Sequence, residues 1–158
     1  RGLTKTRWPG RFEQIATDPL FLIDGAHNED AAVKLEASVE NYFTNRKITY
    51  IIWVLADKEH AKVLERMLPH ASAVYTVTPD NPRALDAKKL AKEAKLVLDR
   101  LQGWNNPQEH RPQVQACETV REAVEHARSV TPEDGVILAF GSLSYLKDVK
   151  KEVQDVSR

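Results

Sequence analysis

The chain has 158 residues, and its 23 lysines and arginines balance 23 aspartates and glutamates, so it has the size of one ordinary domain and no formal net charge. No basic excess points to nucleic acid, no polybasic block points to an anionic membrane, and apolar runs such as Val136–Phe140 are far too short to span a bilayer. The single cysteine, Cys117, cannot form an internal disulfide, so the expected compartment is a reducing cytoplasm.

Pro9-Gly10 marks a turn, and Arg11–Ala16 is expected as a short strand after it. Asp18-Pro19 turns the chain into a second strand, Leu20–Asp24, and so tight a connection predicts an antiparallel pair. Gly25 ends that strand, and Asn28 is placed to cap a helix. From Glu29 the apolar period changes, with Ala32, Leu35, Val39, Tyr42 and Phe43 on one helical face. Tyr50–Leu55 is a continuous apolar run of strand length, as in strands covered on both faces. Lys58–Leu68 reads as a helix stopped by Pro69, and Ala73–Val77 as another strand. Residues 78–83 are a loop, because Pro79 and Pro82 flank Asp80-Asn81. Asp86 then caps a long helix with Ala87, Leu90, Ala91, Ala94, Val97, Leu98 and Leu101 on its inner side. Gly103–Pro112 is a surface connection, Val114–Cys117 a short strand, and Thr119 begins a helix carrying Val120, Ala123, Val124 and Ala127. After the turn Pro132–Gly135 come the last strand, Val136–Phe140, and a closing helix, Leu143–Val156, with Leu146, Val149, Val153 and Val156 as its stripe.

There is no internal repeat, and strand alternates with helix to the end. That order predicts an α/β domain of three layers, helix on sheet on helix, spanning residues 1–158. The sheet is mostly parallel with right-handed crossovers, and an antiparallel edge strand stands at its N-terminal side. In such sheets ligands bind beyond the carboxyl ends of the strands. The loops of interest are therefore Asp24–Asn28, Ala56–Glu59, Thr78–Arg83, Glu118–Thr119 and Gly141–Ser144.

Asp24 ends a buried strand, where its carboxylate can accept from the two vicinal hydroxyls of a ribose. His27 and Asn28 stand at a helix start, where free N–H groups favour anions; equally, Asp24 and Asn28 can simply cap the helix. Arg11 lies thirteen residues before Asp24, and hairpin pairing would bring the two to one crevice. Its planar fork suits a phosphate, though it can also be an ordinary solvated arginine. Arg83, in a loop stiffened by two prolines, offers a contact for a substrate carboxylate or belongs to a plain turn. Ser142, after the last strand, is an anion contact or an N-cap.

Other chemistries are missing from the sequence. It has no P-loop, no Gly-x-Gly-x-x-Gly after a strand and no nucleophile elbow. His27, His60, His70, His110 and His126 show no metal-ligand spacing, and Cys117 reads as a packed residue. Trp53 is expected in the core, and Trp104 over a surface hollow.

Five segments in this order and spacing carry a family resemblance: Arg7–Glu13, Asp24–Asn28, the pair Asp57-Lys58, Pro79–Leu85 and Gly141–Leu146. They resemble the folylpolyglutamate synthases of the Mur ligase superfamily, a pattern shared by bifunctional dihydrofolate synthases. The resemblance covers essentially the whole chain and implies a Rossmann-like C-terminal domain. It implies a ligase in which ATP phosphorylates the terminal carboxylate of a folate and the amine of L-glutamate attacks the acyl phosphate. Arg11 would contact the phosphates, Asp24 the ribose, and His27 and Asn28 would line the same ATP cleft. Ser142, His27 and Arg83 would help hold the glutamate. The P-loop domain and the ligands of Mg2+ would belong to an N-terminal part of the same polypeptide, so this chain alone is expected to be an inactive fragment. One departure is Ser144, where family members often carry a bulky residue. Two other readings remain open at this stage. One is a cell-wall Mur-type amide ligase, which the Pro79–Arg83 loop also fits. The other is a non-catalytic α/β binding module.

Overall fold

The computed structural model describes residues 10–56, 59–102 and 111–156. Arg7, Trp8, Pro9, Asp57, Lys58, Trp104 and most of the 103–112 connection lie outside the described residues, as does the side chain of Val156. Six strands form one sheet: β1 (Glu13–Ala16), β2 (Leu20–Asp24), β3 (Ile48–Trp53), β4 (Ala73–Thr76), β5 (Gln113–Ala116) and β6 (Val136–Gly141). The spatial order is β1-β2-β6-β3-β4-β5. β1 runs antiparallel to β2, and every other pairing is parallel. The α/β expectation, with a mostly parallel sheet and one antiparallel edge strand, holds.

The helices are α1 (Glu29–Tyr42), α2 (His60–Met67), α3 (Ala87–Gln102), α4 (Val120–Val130) and α5 (Leu146–Val156). Alternate side chains of a strand face opposite sides of a sheet. Leu22, Tyr50, Ile52, Val74, Leu138 and Phe140 therefore pack in one core with α1, α2 and α3. Phe21, Ile23, Ile51, Trp53, Tyr75, Ile137 and Ala139 pack in a second core with α4 and α5. Every residue of β3 and β6 is buried, in keeping with the apolar stretches Tyr50–Trp53 and Val136–Phe140 within them. Two pairings of buried hydroxyls tie the core. Tyr50 Oη donates to Met67 O at 2.6 Å, and the Thr49 and Thr131 hydroxyls meet at 2.7 Å.

The helix starts follow capping chemistry. Asn28 Oδ1 accepts from Ala31 N at 2.9 Å, Asp86 Oδ2 from Lys88 N at 2.9 Å, and Thr119 Oγ1 from Glu122 N at 3.0 Å. Several boundaries differ from expectation. β1 begins at Glu13, because Phe12 sits in the left-handed region at φ 49°. β3 lies two residues earlier than the apolar run, since Val54 and Leu55 leave the sheet to bond Leu85 and Ala84. α2 ends at Met67, just ahead of Pro69 as expected, and a 3-10 turn, Leu68–His70, follows it. A second such turn, Leu143–Tyr145, precedes α5. Tyr42 and Leu101, placed on inner faces by periodicity, are 39% and 45% exposed. Among the described residues, no helix is long and apolar enough to cross a membrane.

Candidate functional site

Because β2, β6 and β3 are parallel neighbours, their carboxyl ends form one row. Asp24 stands beside Phe140, and Gly141 beside Trp53. The antiparallel hairpin pairs Glu13 with Ile23, which returns the segment before β1 to the same edge. Gly25 N donates to Gly10 O at 2.7 Å, and Phe12 N donates to Asp24 Oδ2 at 2.8 Å. Glu13 accepts from Gly10 N at 2.9 Å and from Lys150 Nζ of α5 at 2.8 Å. Burial alone would raise the Glu13 carboxyl, but the Lys150 and Gly10 bonds outweigh it and hold it below the usual carboxylate value. The turn that carries Arg11 is thus tied to both β2 and α5.

Arg11 and Asp24 together line two adjoining hollows of about 320 and 270 Å³. Both hollows also contain Ala31 and Lys34 of α1. The first extends past Phe12 to Ser38 and Tyr42, and the second reaches His27, Asn28 and Leu143. Asp24 is largely desolvated, which pushes its carboxyl up to about 6 against the opposing effects of the Phe12 and Ala26 N–H groups and of the Arg11 charge. His27 Nδ1 lies 2.9 Å from Gly25 O. A carbonyl only accepts, so Nδ1 carries the proton and Nε2 of the neutral ring is left as an acceptor. Asn28 is a helix cap, and Glu59 accepts from Glu29 N at 3.2 Å, so two of the free N–H groups of α1 are already engaged.

Ser142 follows β6 and is buried. Its carbonyl accepts from Trp53 Nε1 at 2.9 Å, and its hydroxyl lies 3.3 Å from that of Ser144. Arg83 lies further along the row. Its carbonyl accepts from Ala56 N at 2.8 Å, and its own N–H is held by Asn81 Oδ1 at 2.8 Å. The structure therefore brings Arg11, Asp24, His27 and Asn28 to one groove. Ser142 sits beside that groove at the end of the next strand, and Arg83 sits past β3, outside both hollows.

Two contributors escaped the sequence reading. Lys34 is a lone lysine in a helix, and only its angular position on α1, six residues after the cap, could have signalled it. Leu143 is 58% exposed yet leans on glycines: a Cβ on Gly25 would come within 2.3 Å of its Cδ2. Three potential metal-ligand atoms lie within 4.8 Å of one another at Cys117, Glu122 and His126, and again at Glu36, Glu40 and His70. Neither set includes a residue of the groove.

The family described as "Mur ligase, glutamate ligase domain" matches residues 10–143. The dihydrofolate synthase/folylpolyglutamate synthase of Bacillus subtilis is 28% identical over 153 residues, covering 97% of this chain and 32% of that protein. The folylpolyglutamate synthase of Lacticaseibacillus casei is 42% identical over 86 residues, 54% of this chain and 20% of the relative. Among solved structures, the Mycobacterium tuberculosis folylpolyglutamate synthase complexed with ADP superposes with a TM-score of 0.73 at 25% identity, over 96% of this chain and 32% of that one. Escherichia coli FolC in complex with DHPP and ADP gives 0.78 at 20% identity, over 96% of this chain and 32% of that one, a likeness of fold. The chain spans a third or less of the length of these relatives.

Proposed function

The chain belongs to the glutamate ligase domain family of the Mur ligases, and from that premise we propose that it is the C-terminal domain of an ATP-dependent folylpolyglutamate synthase. The observation that carries the proposal is the meeting of Arg11 and Asp24 in one groove at the carboxyl edge of the sheet. A non-catalytic module would leave Arg11 and Asp24 free to lie far apart, so their sharing one groove counts against that reading.

The proposed reaction joins L-glutamate to the γ-carboxyl of a folate through an acyl phosphate, and the residues divide the work. Asp24 accepts from the ribose hydroxyls of ATP. It enters that role as a carboxylate above about pH 6, with one oxygen already held by Phe12 N–H. Arg11, exposed at the rim, supplies charge to the transferring phosphoryl group; phosphoryl transfer depends chiefly on such positioning and fixed charge. His27 and Asn28 form the wall at the start of α1. Ser142, His27 and Arg83 contact the glutamate. The Mg2+ ligands are assigned to the N-terminal P-loop domain, and this chain contributes no step through the metal.

The test is Arg11→Ala in the full-length enzyme. The expected loss of ligation rate is about 10²–10³, by the measure of other fixed charges at reacting centres, with thermal unfolding unchanged because the side chain is exposed. Near-normal turnover would sink the assignment. The domain reading has its own check in calorimetry: this chain alone should bind ATP negligibly, and binding should appear when the N-terminal domain is added.

A further inference from the structure

We propose that Lys34 is a second cationic contact for the phosphate chain of the nucleotide, acting beside Arg11; this rests on the nucleotide reading above. Lys34 lines both hollows, a place it shares only with Arg11, Asp24 and Ala31. It stands six residues after the cap Asn28, about 9 Å along the helix axis, and Ala31 and Ser38 on the same face also line the groove. Leu35 beside it is buried in the core, which fixes the rotation of α1 and keeps Lys34 on the groove wall.

Three carboxylates of α1 face away from the groove, whereas Asp30 in its first turn lines the second hollow. Glu29, Glu36 and Glu40 turn toward α2 and pair with Lys62, Arg66 and His70. Among the described residues, Lys34 takes no part in that network and has no hydrogen bond or ion pair of its own. The cation whose charge acts on the Asp24 carboxyl is Arg11. The second hollow adds Asp30 of the first turn of α1, but the larger one holds two cations, Arg11 and Lys34, against one carboxylate, Asp24. A surplus of that sign, flanking a carboxylate suited to ribose hydroxyls, matches a polyphosphate chain. Lysine meets phosphate as a mobile point charge, and it does not need the fixed fork of arginine to do so.

The experiment compares wild type, Lys34→Met, Lys34→Arg and Arg11→Ala in the full-length enzyme, measuring affinity for ATP and, by competition, for uncharged adenosine. Lys34→Met should weaken ATP about three- to tenfold, leave adenosine unchanged and lose its effect at high salt. Lys34→Arg should bind ATP within about twofold of wild type, because it keeps the charge. If Arg11→Ala weakens ATP but Lys34→Met does not, the inference fails and the nucleotide reading stands. Equal weakening of ATP and adenosine would make Lys34 a structural residue and also overturn the inference. If neither substitution affects ATP, the nucleotide reading falls and takes the inference with it.

Discussion

Asp24 is both a liability and an asset of the fold. Its folded carboxyl titrates at about 6 against an ordinary value of 3.8, so the native state holds the proton more tightly than the unfolded chain. Its effect on stability is therefore most favourable below about pH 4 and declines as pH rises to about 6. Asp24→Asn keeps an acceptor for Phe12 N–H and removes the charge. We expect this variant to lose that slope and to exceed the parent in stability above pH 6 by about 1–3 kcal/mol, while binding nucleotide more weakly. Denaturation at a series of pH values checks the first outcome; an unchanged pH profile would contradict it. The four groove residues His27, Asn28, Asp24 and Arg11 were legible because each stands at a turn or a helix start, where sequence signals are strong. Lys34 and Leu143 were not, because their places beside the groove depend on which way a helix and a 3-10 turn face.

The glycines of the carboxyl edge show how elements, more than single residues, shape the site. A Cβ on Gly141 would lie 2.0 Å from the carbonyl oxygen of Trp53, a backbone atom in the neighbouring strand that cannot step aside. A Cβ on Gly25 would meet Leu143 Cδ2 at 2.3 Å, but that side chain is exposed and can rotate away. Gly141→Ala should cost about 3 kcal/mol or more, and Gly25→Ala about 1 kcal/mol, read from denaturation midpoints at constant slope. The reverse ranking would show that the clash is not what governs the edge. The same edge explains why β3 was displaced in the sequence reading. The apolar run continues through Val54 and Leu55 because the 78–85 loop covers them, so their hydrophobicity marks burial under a loop and not membership of the sheet.

At the scale of the whole molecule, alternation of strand and helix made the layers legible, and it says nothing of strand order. β6, the last strand in sequence, inserts between β2 and β3, and the pairings that place it join residues more than eighty positions apart. No local pattern encodes such contacts. The order sets a gradient of stability, since β6 and β3 are paired on both sides and buried on both faces, whereas β5 is a half-exposed edge. Amide exchange should be slowest in β6 and β3, opening only with global unfolding, and markedly faster in β5. Equal protection of β5 and β6 would refute this gradient.

The β1–β2 hairpin has one more consequence, for how the sequence can vary in length. Arg11 and Asp24 are brought together by the pairing of Glu13 with Ile23 and by the bond from Phe12 to Asp24, across a fixed interval of thirteen residues. One residue added or lost between them would either shift that pairing, turning alternate side chains to the opposite face, or be absorbed as a further bulge beside the one between Gln14 and Ala16. Substitutions within this interval can be repaired locally. A change in its length moves the arginine and the carboxylate relative to each other, so spacing in this stretch is under tighter physical control than identity.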